Sequence, residues 1–141
     1  PIPQNPWTWE IPSTWKKGKP SSMRIASLKV SDQNGSELDI SVTTFPGDVG
    51  GLLANVNRWI GQIELSPINQ SSLEKYCSSI TIAGQAGHLV EAYGPKEAVL
   101  AGVLFLEEES WFFKLLGNRT LAEKEKENFL SFIKSVASKS N

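Results

Sequence analysis

The chain has 141 residues, 40% of them apolar and 21% charged, with a formal net charge of −1 at pH 7. That is enough for one domain with a real core, and the near-balanced charge supports neither a general nucleic-acid binder, which would carry a basic surface, nor a protein held to an anionic membrane by a basic patch. A single cysteine, Cys77, excludes an intrachain disulfide; one histidine and no CxxC pair argue against a structural zinc site, and no apolar run approaches the length of a transmembrane helix.

The chain opens at Pro1 rather than Met, which leaves room for a signal peptide or lipid anchor upstream. Five of its eight prolines fall in "PIPQNPWTWEIPSTWKKGKPSS". Residues 1–6 are therefore expected to be an extended tether leading into an otherwise single domain. "WTWEI", residues 7–11, reads as a short edge strand, stopped by Pro12, and "STWKKGKPSS" as a loop. "MRIASLKV" and "LDISVTTF" alternate and are separated by Asn34-Gly35, so residues 23–30 and 38–45 are expected to form an antiparallel hairpin.

Pro46-Gly47-Asp48 ends the second strand, and Asp48 is the expected N-cap of a helix running from about Leu52 to Ile63. Leu65-Ser66-Pro67 ends that helix. "SSLEKYCSS" suits a short helical turn with Cys77 at or near its end, and "ITIAGQAGHLVEAYG" two strands around an Ala83–Gly87 turn. "AVLAGVLFLE" and "SWFFKLLG" read as two central strands joined through Glu107–Glu109. Thr120 with Glu123 forms a capping box for a last helix over 121–137, in which Leu121, Phe129, Phe132, Ile133 and Val136 share one face. The fold class that follows is α+β: a mostly antiparallel sheet with two longer helices packed on it.

The blocks "WEIPSTW", "MRIASLKV", "SVTTFPGDVGGLLANVNRWIGQIEL" and "SWFFKLLG" resemble, in that order, a family of uncharacterised bacterial proteins found mainly in planctomycetes and related marine lineages. The order of elements also resembles the PsbP-like α/β sandwich, shared by photosystem accessory proteins and a Ran-binding nuclear-transport factor. The family resemblance implies an exported or lipid-anchored protein, periplasmic or otherwise extracytoplasmic, without enzyme chemistry. It brings no catalytic residues with it.

The first helix is chemically odd. Leu52, Leu53, Val56, Trp59, Ile60 and Ile63 occupy one arc, and Asn55, Arg58 and Gln62 form a polar stripe beside it. Trp59 sits at the seam between them, where one indole edge is expected to stay open. Asn55, Asn57 and Gly61 are poor choices for helix stability alone. Two readings stand side by side. In one, Asp48, Asn55, Asn57, Arg58, Trp59 and Gln62 form a binding patch, since clustered Trp and Arg are frequent hot spots. In the other, Asn55 or Arg58 holds the Pro46–Gly51 loop through its carbonyls and Asn57 holds the following loop.

The remaining candidates are weaker. "PGDVGG" lacks the GK[ST] ending of a phosphate loop, and Asp48 puts a negative charge where the phosphate would sit. Cys77 and His88 raise a thiol-enzyme reading that no spacing supports, and lone buried cysteines are common. The expectation is a monomeric, non-enzymatic interaction module with an unidentified protein partner, no cofactor and no nucleic acid. The alternative is a small-ligand or lipid-binding module with a cleft between sheet and helices.

Overall fold

The computed structural model describes residues 5–139; most of the expected N-terminal tether, residues 1–4, lies outside that range. The elements are β1 (Trp7–Thr8), β2 (Lys16–Lys17), β3 (Ala26–Ser31), β4 (Glu37–Pro46), α1 (Gly51–Gln62), a 3₁₀ helix (Gln70–Lys75), β5 (Cys77–Ile82), β6 (Gln85–Tyr93), β7 (Glu97–Phe105), β8 (Glu109–Asn118), α2 (Arg119–Ser135) and β9 (Ala137–Ser138). Strands β2 to β8 make one seven-stranded antiparallel sheet in the order β2-β3-β4-β8-β7-β6-β5. The architecture is the expected α+β sandwich, with α1 and α2 on opposite faces of the sheet.

Alternation within the strands assigns the faces. In β8, Trp111, Phe113 and Leu115 point to the α2 side, where they join Leu38, Ile40 and Val42 of β4 and Phe129, Phe132 and Ile133 of α2. Phe112 points the other way, into a second core with Val90, Ala92, Val99, Ala101 and Val103 beneath Val56, Trp59, Ile60 and Ile63 of α1. These side chains fill the space beneath the middle of each long helix, and a groove lined by Leu52 of α1, Leu73, Cys77 and His88 opens toward the β5 side of the sheet.

Several local expectations are corrected. "WTWEI" does not border the main sheet. Only Trp7 and Thr8 pair, with Ser138 and Ala137 after α2, in a separate two-stranded ladder. The reason is packing. Trp7 sets its edge against Trp111 at 5.8 Å, while Trp9 and Trp15 lie 5.7 and 5.2 Å from Phe132, so the N-terminal aromatics dress the α2 face. The Trp15 indole N–H donates to Glu125 at 2.9 Å. Lys16 and Lys17, expected in a loop, form the short edge strand beside β3. Cys77 begins β5 instead of ending a helical turn. The turn between β5 and β6 shrinks to Ala83-Gly84, both at positive φ, as a two-residue hairpin requires. Asn118, not Thr120, caps α2, its Oδ1 accepting from the Leu121 amide at 2.9 Å.

Phe132 and Ile133 are fully buried against β7 and β8. Phe132→Ala or Ile133→Ala is expected to cost about 2–5 kcal/mol. Denaturant melts check this, and a neutral result at either position would refute the packing of α2.

Candidate functional site

Asn55 is 0% exposed. Its amide Nδ2 donates to the Val49 carbonyl at 3.2 Å and the Gly51 carbonyl at 2.6 Å, and its Oδ1 accepts from Arg58 Nη2. The loop it holds is unusual. Gly47, Val49, Gly50 and Gly51 all have positive φ, and for a β-branched residue such as Val49 (φ 51°) that conformation is strained. Asn55 stabilises it from inside, helped by the Ser110 hydroxyl on the Gly47 carbonyl and by the Gly47 amide on the Glu108 carbonyl. Asp48 is not the N-cap. Gly50 takes that position without a side-chain cap, and Asp48 Oδ1 accepts from the Gly50 amide at 3.2 Å within the loop. Asn57 latches the other end of α1: its Nδ2 donates to the Ile68 carbonyl at 3.0 Å and its Oδ1 accepts from the Ile68 amide at 2.8 Å. Both helix-disfavoring asparagines thus do internal work.

Trp59 departs from expectation. It is 2% exposed, edge-on to Phe112 at 5.3 Å, and offers no open edge. What reaches solvent is the set of groups above it. Arg58 Cζ lies 5.9 Å and Lys114 Nζ 5.5 Å from the centre of its ring, close enough for cation–π attraction. The exposed Gln62 accepts from Lys114 Nζ through Oε1 at 3.2 Å. The structure therefore brings Arg58, Trp59 and Gln62 together with a residue the sequence reading missed. Lys114 stands in the middle of "SWFFKLLG", on the strand face it shares with Phe112. A lysine inside a central strand was the signal that could have found it.

Helix α1 packs on β6, β7 and β8. Beyond β8 the same face continues onto β4 and β3, where alternation places Ser41 opposite Lys114 and Ser27 opposite Ser41. There Arg24 grips Asp39 in a two-pronged contact at 2.8 and 2.6 Å. The result is a polar shelf beside Trp59. Lys114 is half-buried on it, and its pKa falls from the ordinary 10.5 to about 8. Desolvation is the main cause, the charge of Arg58 the next; Asp39 opposes them and Arg24 adds to them. Among the described residues the ion pairs are Arg24–Asp39, Arg119–Glu123 and Lys126–Glu91. Arg58 and Lys114 belong to none of these, so the shelf can accept a negative charge.

Cys77 and His88 both line a groove of about 480 Å³ between the 3₁₀ helix and the sheet, but the register sets them opposite Val90 and Ser79 and not opposite each other. Burial pushes the Cys77 thiol up to about 11, which keeps it protonated at neutral pH. No group of three or more His, Cys, Asp or Glu that could hold a metal occurs among the described residues.

Two substitutions separate latch from shelf. Asn55→Ala is expected to cost about 1–3 kcal/mol, because it removes a buried amide that satisfies two carbonyls, whereas Gln62→Ala should stay within about 0.5 kcal/mol; paired urea melts compare them. Lys114→Met is expected to raise stability at pH 7. The folded state binds the Lys114 proton less tightly than the unfolded chain, so wild type carries the full cost below about pH 8 and regains it as pH rises toward 10.5. Melting curves across that range should show the advantage of Lys114→Met shrinking. An advantage that grows with pH would refute the assignment.

The chain matches no family model and no curated protein. Among solved structures it is similar to LpqN of Mycobacterium tuberculosis, described as involved in cell envelope biogenesis. The TM-score is 0.54 at 14% identity, over 93% of this chain and 83% of that one. It is likewise similar to the cyanobacterial PsbP (CyanoP) of Synechocystis sp. PCC 6803, with a TM-score of 0.52 at 14% identity, over 95% of this chain and 87% of that one. At such identities the likeness reaches the fold alone, and the fold is PsbP-like.

Proposed function

We propose that the protein is a non-enzymatic, extracytoplasmic binding module of the cell envelope, whose shelf of Arg58, Lys114 and Gln62 receives a carboxylate-bearing segment of a partner protein. One observation carries this reading: two cations converge on the buried ring of Trp59, and the more buried of them, Lys114, has Gln62 as its hydrogen-bond partner. Desolvating an ammonium is costly. A carboxylate from outside would supply charge-assisted hydrogen bonds to both cations and offset that cost. Charge pairing of this kind favours fast, selective encounter more than raw affinity.

The envelope assignment is supported by the described role of LpqN and by the fold shared with it. No helix among the described residues is long and apolar enough to cross a membrane. The finer kinship, with an exported or lipid-anchored family of planctomycetes, belongs to the same proposal. The non-enzymatic reading is favoured by Cys77, whose thiol is held in the unreactive form.

The test is affinity capture from the source organism's envelope fraction, comparing wild type with Arg58→Ala/Gln62→Ala at matched melting temperature. A glutamate-rich peptide serves as competitor. The expected result is a partner released by the peptide and lost with the double variant, with capture weakening above about pH 8 as Lys114 loses its charge. Capture indifferent to both would move the partner surface elsewhere.

A further inference from the structure

Among the described residues two lysines are half-buried, Lys114 and Lys126, and the others are exposed. The two differ in what meets the ammonium. Lys126 pairs with Glu91 at 2.8 Å. Lys114 belongs to no ion pair among the described residues. Its hydrogen bond goes to the neutral Gln62 Oε1 at 3.2 Å, and Arg58 lies over the same Trp59 ring.

An ammonium that faces a ring, an amide and a second cation gives up its proton easily. The charges around it are Arg58 from α1, with Arg24 and Asp39 from the β3–β4 end of the shelf, the last two bonded to each other. With its pKa at about 8, about one Lys114 in ten is the free amine at pH 7, against fewer than about one in a thousand for an ordinary lysine. Desolvation beside another cation is one way a lysine becomes a nucleophile.

The neighbours say what such an amine would attack. Arg58 and Gln62 stand four residues apart on α1, on one face of the helix. Gln62 holds the Lys114 nitrogen, and Asn55 holds the guanidinium. A guanidinium takes a carboxylate in a planar fork; an amine takes a carbonyl carbon. Since both groups share one indole, the carbonyl has to stand close to the carboxylate. In a 2-oxo acid the two are on adjacent carbons.

We infer that Lys114 is a covalent capture site for small 2-oxo acids, whose carboxylate pairs with Arg58 while their carbonyl carbon forms an imine with Nζ. The inference rests on the anion-receiving shelf proposed above and adds a bond to it. The lone pair of the neutral amine attacks the carbonyl carbon, the two amine protons end on the carbonyl oxygen, and that oxygen leaves as water while the C=N bond forms. Water reverses the step. Nothing is oxidised or reduced, and capture is stoichiometric, without turnover.

The test incubates the whole protein at pH 7 with glyoxylate or with acetaldehyde, a carbonyl that lacks the carboxylate. Cyanoborohydride fixes each imine as a secondary amine, and peptide mapping measures the rate at every lysine. Expected with glyoxylate is labelling of Lys114 at least about tenfold faster than of the exposed Lys16 and Lys17, an excess that narrows as pH rises into the ordinary lysine range. Arg58→Gln, which keeps a donor for Asn55 and drops the charge, should lower the glyoxylate-to-acetaldehyde ratio at Lys114 several-fold. Should Arg58→Gln melt lower than wild type, sodium acetate against sodium chloride at equal ionic strength carries the comparison, since acetate competes for Arg58 and should slow labelling by glyoxylate only. Labelling of Lys114 no faster than of Lys16, or a ratio that neither Arg58→Gln nor acetate changes, would overturn the inference. Binding of the glutamate-rich peptide to untreated protein, measured in parallel, then separates the two readings: if it is retained, the covalent step alone falls, and if it is absent, the shelf falls with it.

Discussion

Strand β8 is covered on both faces, and most of the structure follows from that constraint. A strand buried on one side needs one helix; a strand buried on both needs two layers, and the chain supplies one from its two ends and the other from its middle. Trp111, Phe113 and Leu115 are met by α2 and by the N-terminal tryptophans. Phe112 is met by Trp59 and by Phe45 of β4. At the next position on the same face, Lys114, the hydrophobic rule is broken. Aligned with aromatic and aliphatic neighbours, that residue is half-buried, its ammonium over the Trp59 ring and bonded to Gln62. The functional proposal lives at this break between a packed and an open part of one sheet face.

Helix α1 shows how architecture and function share residues. A helix with asparagines at 55 and 57 gives up intrinsic propensity, and it recovers stability through contacts no isolated helix makes. Asn55 reaches backward to the strained loop, Asn57 forward to Ile68. Arg58 is tied to the same system, since it donates to Asn55. The exposed guanidinium is thus oriented by a buried amide, which lowers the conformational entropy left to lose when a partner binds.

Much of the fold could be read from the residues. Alternation marked β3 and β4, continuous apolar runs marked the central pair β7–β8, and the 3.6-residue period marked the face of α2 that holds Phe129, Phe132 and Ile133. Failures came where local rules competed. Thr120 and Glu123 satisfy the capping-box pattern, yet Asn118 is an equally good cap two residues earlier, and the end of β8 selects it. Lys16 and Lys17 look like a loop because their pairing depends on β3, far from any local signal. At the candidate site Arg58 and Gln62 were legible from helical spacing. Lys114 was not, since its place beside them is set by strand register and helix position together. The alternative internal role of Asn55 and Asn57 was legible from the chemistry of asparagine, which competes for backbone groups wherever it sits in a helix.

The small ladder of β1 with β9 joins the two ends of the described chain, pairing Trp7 with Ser138 and Thr8 with Ala137. Strands that enter and leave on the same side are loaded one rung at a time when pulled apart, as a zipper opens, whereas strands pulled lengthwise share the load. Under tension at its ends the molecule would therefore yield first at this clasp, and then at the Trp7 ring against Trp111. The long ladder between β4 and β8 would stay outside the line of force. Mechanically the domain is a firm body closed by a weak clasp, and the clasp lies on the α2 side, the face opposite the shelf.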